Sequence, residues 1–433
     1  MQKRPNIVLV YCDDLGYGDL GCYGSDAIRT PHLDRLAEEG ARFTDWYSNS
    51  PVCSPSRASL LTGRYPARTG IERILTGKRG SAGLPSDVPT ISSVLKSHGY
   101  RTGLFGKWHL GTHPDNAPSA HGFDEAFGFL AGCVDYYSHI FYWEQAGGVN
   151  PVHDLWHNGR EVWRNGEYLT DLITDRTIEF IEASRNEPFF AYVAYNAPHY
   201  PMHAPQRYLD RYPELPADRR IMAAMISAVD DGVGAIADAL KRKGCYEDTI
   251  FFFSSDNGPS TESRNYLDGN EDKYYGGSAG LFRGHKASLF EGGIREPAIW
   301  SYPAAVQAGQ VRREPCMMAD VLPTILDLAD LPPLSSVDGD SVSSLLRGGE
   351  GMARERLFWS YGDQAAVREG DWKLVLNGRI DFTETAPDAV HLSDLGSDPS
   401  ERVNLKDEYP EITERLRRAV REWLEKTKNE GNI

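Results

Sequence analysis

The 433-residue sequence predicts an α/β protein: a large mixed β-sheet flanked by helices, with a small C-terminal subdomain of antiparallel sheet plus helix. Three observations predict it. Over residues 1–330, strand-length runs rich in Val, Ile, Phe and Tyr alternate with amphipathic stretches of helical period. A stretch rich in Pro, Ser, Gly and Asp, from Leu331-Pro332-Pro333 to Gly351, then breaks the pattern. Beyond it, short β-rich segments come close together and a charged helix closes the chain. The division this implies is a first domain at 1–345 and a second at 346–433.

Taken in order, strands are predicted at 6–12, 102–105, 189–195 and 249–254, and helices at 31–39, 91–98, 169–184 and 219–243. Gly99 closes the second helix, as glycine does after a last helical turn. In the tail, 356–361, 365–368 and 372–376 read as an antiparallel meander, and 409–428 as an amphipathic helix packed on it.

Composition excludes several classes. Hydrophobic residues make up 40% and aromatics 11%, which is enough for a core and rules out wholesale disorder. The longest apolar runs, 7–12 and 189–194, are far short of a membrane span. A net charge of −16 argues against nucleic acid or an anionic membrane as partner, since both select basic faces. The opening Met-Gln-Lys-Arg-Pro-Asn runs directly into a strand, without the apolar stretch of a signal peptide. The chain as written is therefore expected to be cytoplasmic, or periplasmic or secreted if a leader has been removed. Six cysteines without a Cys-x-x-Cys pair suggest neither a disulfide framework nor a zinc site. Oligomeric state is not indicated.

Chemistry concentrates at strand ends, where open α/β sheets bind ligands. The first strand runs into Asp13-Asp14 and the 249–254 strand into Asp256-Asn257-Gly258. The 189–195 strand runs into Asn196-Ala197-Pro198-His199, and the 102–105 strand into Lys107-Trp108-His109. Three carboxylates and an amide oxygen are hard ligands, suited to Ca²⁺ or Mg²⁺. Each pair alone also fits an ordinary strand-end turn. Their coincidence with Lys107, His109 and His199 favours a site.

Two motifs fall away. Gly16-Tyr17-Gly18-Asp19-Leu20-Gly21 fits a dinucleotide fingerprint, but no helix follows it directly and Asp13 and Asp14 would repel phosphates. His199 and His203 have zinc spacing, but Pro198, Pro201 and Pro205 forbid the helix that this spacing needs.

The most specific segment is Cys53-Ser54-Pro55-Ser56-Arg57-Ala58-Ser59-Leu60-Leu61-Thr62-Gly63-Arg64. Ser54 is expected to cap a helix with Pro55 at its first position. Cys53 then sits at the positive end of the helix, with Arg57 one turn on, a setting for an anionic nucleophile and an anionic substrate. A capped helix beside a buried cysteine fits the same residues.

This segment resembles the Cys-x-Pro-Ser-Arg signature of the type I, formylglycine-dependent sulfatases, of the N-acetylgalactosamine-4-sulfatase and arylsulfatase kind, in the alkaline-phosphatase superfamily. Other blocks are similar to the same family: Arg4-Pro5-Asn6-Ile7-Val8 through Asp14, Gly106 to His109, Ala197-Pro198-His199, Ser255 to Gly258, Gly284-His285-Lys286, and Glu291 to Arg295. The tail, with Asp394-Leu395, Asp398-Pro399-Ser400-Glu401 and Asn404-Leu405, is similar to the family's C-terminal subdomain. The resemblance implies an alkaline-phosphatase-like fold. It implies that a formylglycine-generating maturation enzyme converts Cys53 to the catalytic aldehyde, present as its hydrate. It implies Ca²⁺ held by Asp13, Asp14, Asp256 and Asn257, with residue 53 in the shell. Lys107 and Lys286 would grip sulfate, Arg57 would steady residue 53, His199 would be the general acid and His109 the base.

Asp135-Tyr136-Tyr137-Ser138-His139 is similar to a segment of sulfatases acting on 4-sulfated N-acetylgalactosamine, which makes Asp135, Tyr136 and His139 expected substrate contacts. Trp143, Trp156, Trp163, His153 and His157 are aromatic candidates for a sugar face, and core packing accounts for them equally well. The expected substrate is a sulfated galactose or N-acetylgalactosamine unit. The alternatives are phosphonate or phosphodiester hydrolysis, a general arylsulfatase, and a calcium-dependent binding protein with Cys53 left as a thiol.

Overall fold

The computed structural model describes residues 4–142, 151–185, 187–262, 276–351 and 354–430. Among the described residues, eleven strands form one sheet. Across it run Gln310–Arg312, Ala41–Tyr47, Arg295–Ser301, Thr249–Ser255, Asn6–Asp13, Phe189–Pro198, Arg101–Lys107, Glu125–Phe129, Trp156–His157 and Arg160–Glu161, with Cys316–Met317 pairing Ala41–Tyr47 as well. The five strands from Thr249–Ser255 to Glu125–Phe129 are mutually parallel, and Arg295–Ser301 is antiparallel to both its neighbours.

Asn6–Asp13 is buried throughout, as a central parallel strand covered on both faces must be. Its side chains alternate between two cores. Val8, Val10 and Cys12 face a layer containing helices Pro31–Glu38, Leu169–Ala183 and Ala217–Arg242. Ile7, Leu9 and Tyr11 face the layer of helices Cys53–Thr62, Ile91–Ser97 and Val321–Leu328.

Among the strands that escaped the sequence reading, three of the longer ones belong to this sheet. Ala41–Tyr47 carries Arg42 and Asp45 inside it, Glu125–Phe129 is short and opens on a glutamate, and Arg295–Ser301 opens on Arg295-Glu296. Charges within a strand hide its period, and here ion partners elsewhere in the fold satisfy several of them. The Pro- and Gly-rich stretch after Leu331 is not a loose linker. Leu331, Val342, Leu345 and Leu346 join the core, and the amides of Asp338 and Gly339 both donate to the Gly63 carbonyl at the end of helix Cys53–Thr62.

The C-terminal sheet is an antiparallel meander of Arg356–Tyr361, Gln364–Glu369, Trp372–Leu376 and Val390–Asp394, the last strand being one the sequence reading missed. Helix Pro410–Glu430 packs Leu416 and Val420 on one face. The other face sets Leu357, Trp359, Ala366 and Val375 on Tyr47, Leu289, Phe290 and Ile294. A buried ion network crosses the same seam: Lys373 Nζ lies 2.7 Å from Glu291 and 3.2 Å from Glu401, and Asp45 pairs with both Arg295 and Arg368. All six cysteines are free thiols. Among the described residues no helix is long and apolar enough to cross a membrane.

Candidate active site

Because the central strands are parallel, their carboxyl ends converge on one edge of the sheet. That edge receives Asp13-Asp14, Lys107-Trp108-His109, His199 and Asp256-Asn257, and helix Cys53–Thr62 starts beside them. Asp13, Asp14, Cys53 and His199 each offer one ligand atom, and these atoms lie within 4.8 Å of one another.

Cations thread the carboxylates. Lys107 Nζ donates to Asp13 Oδ2 over 2.5 Å, Lys286 Nζ to Asp14 Oδ2 over 2.9 Å, and Arg57 Nη2 to Asp256 Oδ2 over 2.6 Å. The Asp14 amide donates to Asp256 Oδ1 and the Asn257 amide group to Asp14 Oδ1. All of these side chains are buried. Asp14 (φ 62°), His109 (φ 53°) and Ala287 (φ 74°) take the left-handed backbone conformation that non-glycine residues rarely adopt. Such strain gathers where the surrounding structure dictates a side chain's aim.

The electrostatics match a cation site. Burial, reinforced by the neighbouring carboxylates, pushes Asp14 up to about 7 and Asp256 up to about 6, against the pull of Lys286 and Arg57. Asp13 meets the same burial, but Lys107 leads a group of charges that holds it well below the usual range. Asp13 Oδ1 and Asn257 Oδ1 are buried and accept no hydrogen bond among the described residues. Crowded hard oxygens with spare acceptor capacity fit an ion such as Ca²⁺.

The helix differs from expectation at its start. Ser54 is not the cap: the helix begins at Cys53 with Val52 preceding it, and the Ser54 hydroxyl accepts the Leu75 amide over 3.0 Å. Pro55 becomes the third residue, which is tolerated because first-turn N–H groups have no intrahelical partner to lose. Cys53 still stands at the positive end, yet burial pushes its thiol up to about 12, outweighing Lys107 and Lys286. An unmodified Cys53 is thus a protonated thiol, not the anion that its position suggested.

Both histidines are buried and pinned through one nitrogen. His109 Nε2 lies 3.0 Å from the Leu75 carbonyl, and its Nδ1 has no hydrogen-bond partner among the described residues. His199 Nδ1 lies 2.7 Å from the Tyr200 carbonyl, and its Nε2 is 3.6 Å from Asp14 Oδ2. Burial holds both well below the usual histidine range, with Lys107 adding to the effect at His109, while Asp13 opposes it at His199.

The segment 135–139 spends its polar atoms within the chain. Asp135 Oδ1 accepts the amides of Tyr137 and Ser138, and Oδ2 lies 3.3 Å from His203 Nδ1. The buried Tyr136 hydroxyl reaches the carbonyls of Asn196 and His199, both at 2.9 Å. His139 Nε2 lies 3.2 Å from the Glu167 carbonyl. Of the aromatic candidates, Trp143 lies outside the described residues. Sequence reasoning missed Glu262, 3.5 Å from Lys286 Nζ, and Tyr11, whose ring lies 5.4 Å beneath the Arg57 guanidinium. Tyr11 looked like a core residue in an apolar run, and Glu262 belongs to no spaced motif.

A buried cluster of two lysines, an arginine and hard oxygen donors beside a helix N-terminus has the chemistry to take an anionic ester. The chain belongs to the sulfatase family: the family model described as Sulfatase matches residues 5–331, and that described as N-sulphoglucosamine sulphohydrolase, C-terminal, matches 277–429. It is a sulfuric ester hydrolase. The sequence is 35% identical to arylsulfatase A of Bos taurus, over 96% of this chain and 86% of the relative. It is 34% identical to N-acetylgalactosamine-6-sulfatase of Mus musculus, over 97% and 86%. The solved structure of Ps i-CgsB in complex with k-i-k-neocarrahexaose superposes with a TM-score of 0.86 at 32% identity, covering 97% of this chain and 93% of that one.

Proposed function

We propose that this sulfatase removes O-sulfate from a carbohydrate of galactose or N-acetylgalactosamine type, using formylglycine derived from Cys53 and a bound Ca²⁺. The observation that carries the reading is the convergence of Cys53 with Asp13, Asp14 and His199 within 4.8 Å, in a buried cluster whose lysines pair with its carboxylates. The names of the relatives support the sugar class: one acts on N-acetylgalactosamine 6-sulfate by its name, and another was solved with a neocarrahexaose.

Asp13, Asp14, Asp256 and Asn257 would hold the ion, which supplies fixed positive charge beside the sulfate. Formylglycine at position 53 supplies a nucleophilic oxygen that the buried thiol cannot. Lys107 and Lys286 bind sulfate oxygens, shifting part of their charge from Asp13 and Asp14 to substrate. Arg57, fixed by Asp256 and the Tyr11 ring, orients residue 53. His199, with Nδ1 anchored on the Tyr200 carbonyl, presents Nε2, which would serve as the general acid on the leaving sugar oxygen once it takes up a proton, a change that the negative charge of Asp13 and of the sulfate favours. His109, with Nε2 anchored on Leu75, keeps Nδ1 to accept a proton from residue 53. Tyr136 fixes the backbone that carries His199, and Asp135 and His139, bonded to Tyr137, Ser138 and Glu167, hold the shape of the segment beside it. Maturation requires a formylglycine-generating enzyme as partner.

Sulfate release from 4-O- and 6-O-sulfated galactose and N-acetylgalactosamine, set beside p-nitrophenyl sulfate and a phenyl phosphonate ester, tests the reading. Faster turnover of the sugars is expected. Turnover confined to aryl sulfates contradicts the sugar assignment, and preference for the phosphonate contradicts the sulfate specificity.

A further inference from the structure

The Trp163 indole lies 3.7 Å from the His153 imidazole at an interplanar angle of 9°, a face-to-face stack. His153 is buried, whereas Trp163 is 62% exposed and is the only exposed tryptophan among the described residues. One face of the indole is therefore held by protein and the other is presented to solvent. The stack is anchored: His153 Nδ1 lies 3.0 Å from Glu161 Oε1, and Arg79 Nη2 donates to the His153 carbonyl over 3.0 Å.

Two contact paths connect this stack to the reaction centre. On one side, His109 bonds the Leu75 carbonyl, and four residues later Arg79 bonds His153, a chain span of at most about 14 Å. On the other, Tyr136 holds the His199 carbonyl, and His139 places its ring 6.4 Å from that of His153. A cavity of 390 Å³ lined in part by Arg79, Asp154 and Trp156 adjoins the same segments.

We propose that Trp163, backed by His153, is a stacking platform for a second sugar ring, so that the preferred substrate is a sulfated oligosaccharide. The proposal rests on the sulfated-sugar reading above and adds a subsite to it. A pyranose offers an apolar C–H face ringed by hydroxyls. Trp163 offers an aromatic face flanked in sequence by Arg160, Glu161, Arg164 and Glu167. A protein partner would call for a contiguous apolar patch, and among the described residues Trp163 is the one exposed large apolar side chain of its segment. Because the indole is already immobilised, little side-chain freedom is lost on binding.

The test compares mature wild type, Trp163→Ala and Trp163→Phe on sulfated N-acetylgalactosamine monosaccharides and on hexasaccharides of carrageenan and chondroitin sulfate. Trp163→Ala is expected to lower kcat/KM on the productive hexasaccharide about tenfold, through KM, with monosaccharide turnover unchanged and Trp163→Phe recovering most of the loss. Equal losses on both substrate sizes would mark a structural role and overturn the proposal, as would no loss on the hexasaccharide. A change of oligomeric state with sugar turnover intact would assign the ring to a protein interface, also against it. Wild type that turns over only aryl sulfate removes the sugar reading itself, and the subsite with it. Wild type that desulfates sugars regardless of Trp163 removes the subsite alone.

Discussion

Lys286 donates to the Asp14 carboxylate across 2.9 Å with both side chains buried, and Glu262 stands 3.5 Å from the same ammonium. The pairing keeps the cation at the edge of the carboxylate cluster. It also makes Lys286 part of the site's charge balance before any substrate arrives. Removing one partner of a buried pair costs about 3–5 kcal/mol because the other charge is left uncompensated. Lys286→Ala is thus expected to lose turnover by at least a hundredfold and to unfold at lower denaturant. Equilibrium urea unfolding beside sulfate-release kinetics checks both effects.

The loop bearing Lys286 is fastened five residues later. Glu291 accepts Lys373 Nζ at 2.7 Å and donates its amide to Glu401 Oε2 at 2.6 Å, so the C-terminal sheet clamps the segment from outside. Lys373→Met leaves Glu291 and Glu401 facing each other without their shared cation. Glu291 keeps Arg295 Nη1 at 2.9 Å, so Glu401 is the group left without its cation, and the expected result is a loss of stability of at most about 3–5 kcal/mol. Limited proteolysis should then cut the 286–291 region faster than in wild type. Unchanged stability would mean that the network does not hold the seam.

Metal removal should act on stability as well as activity. Ligands that bind only the folded state stabilise by mass action, about 2.7 kcal/mol at a hundredfold excess over Kd. Dialysis against EGTA is expected to abolish turnover and lower Tm, with both restored by Ca²⁺. Asp256→Asn should weaken the Ca²⁺ dependence of Tm, and a Tm indifferent to chelator would contradict the cation assignment.

His121 and His391 should each make stability fall on mild acidification, in the opposite sense to the buried carboxylates Asp14 and Asp256, whose raised values favour the protonated folded form. Burial lowers His121 and His391 to about 4 each, the Arg283 charge adding to the effect at His391. Between about 6.5, the unfolded value, and 4 the unfolded chain takes up protons that the folded chain refuses. The stability these groups contribute is therefore complete above pH 6.5 and is lost as pH drops towards 4. Urea midpoints measured across that range should show a His121→Gln, His391→Gln double variant gaining on wild type as pH falls, and a difference that does not change with pH would contradict the assignment.

The candidate site was legible because its residues sit where an apolar strand stops. Asp13-Asp14, Lys107 and Asp256-Asn257 announce themselves as polar groups at the ends of apolar runs, and parallel topology then gathers them. Ser54 misled because a serine before proline has good capping chemistry, yet its hydroxyl is taken by the Leu75 amide, a contact that local sequence does not encode. Ala41–Tyr47 and Arg295–Ser301 were invisible for a related reason: Asp45 and Arg295 are charges whose partner lies 250 positions away, so neither strand has a readable period. Tyr136 was read as touching substrate, but its hydroxyl serves the carbonyls of Asn196 and His199.

The most direct test of the account is the mass of the Cys53 peptide, from protein co-expressed with a formylglycine-generating enzyme, measured alongside sulfate release from the same preparation. The account predicts an aldehyde at position 53, with turnover proportional to its occupancy and absent in a folded Cys53→Ala variant. A thiol that persists beside active maturation enzyme while sulfate release proceeds unchanged would contradict it, because turnover would then not depend on an aldehyde at position 53.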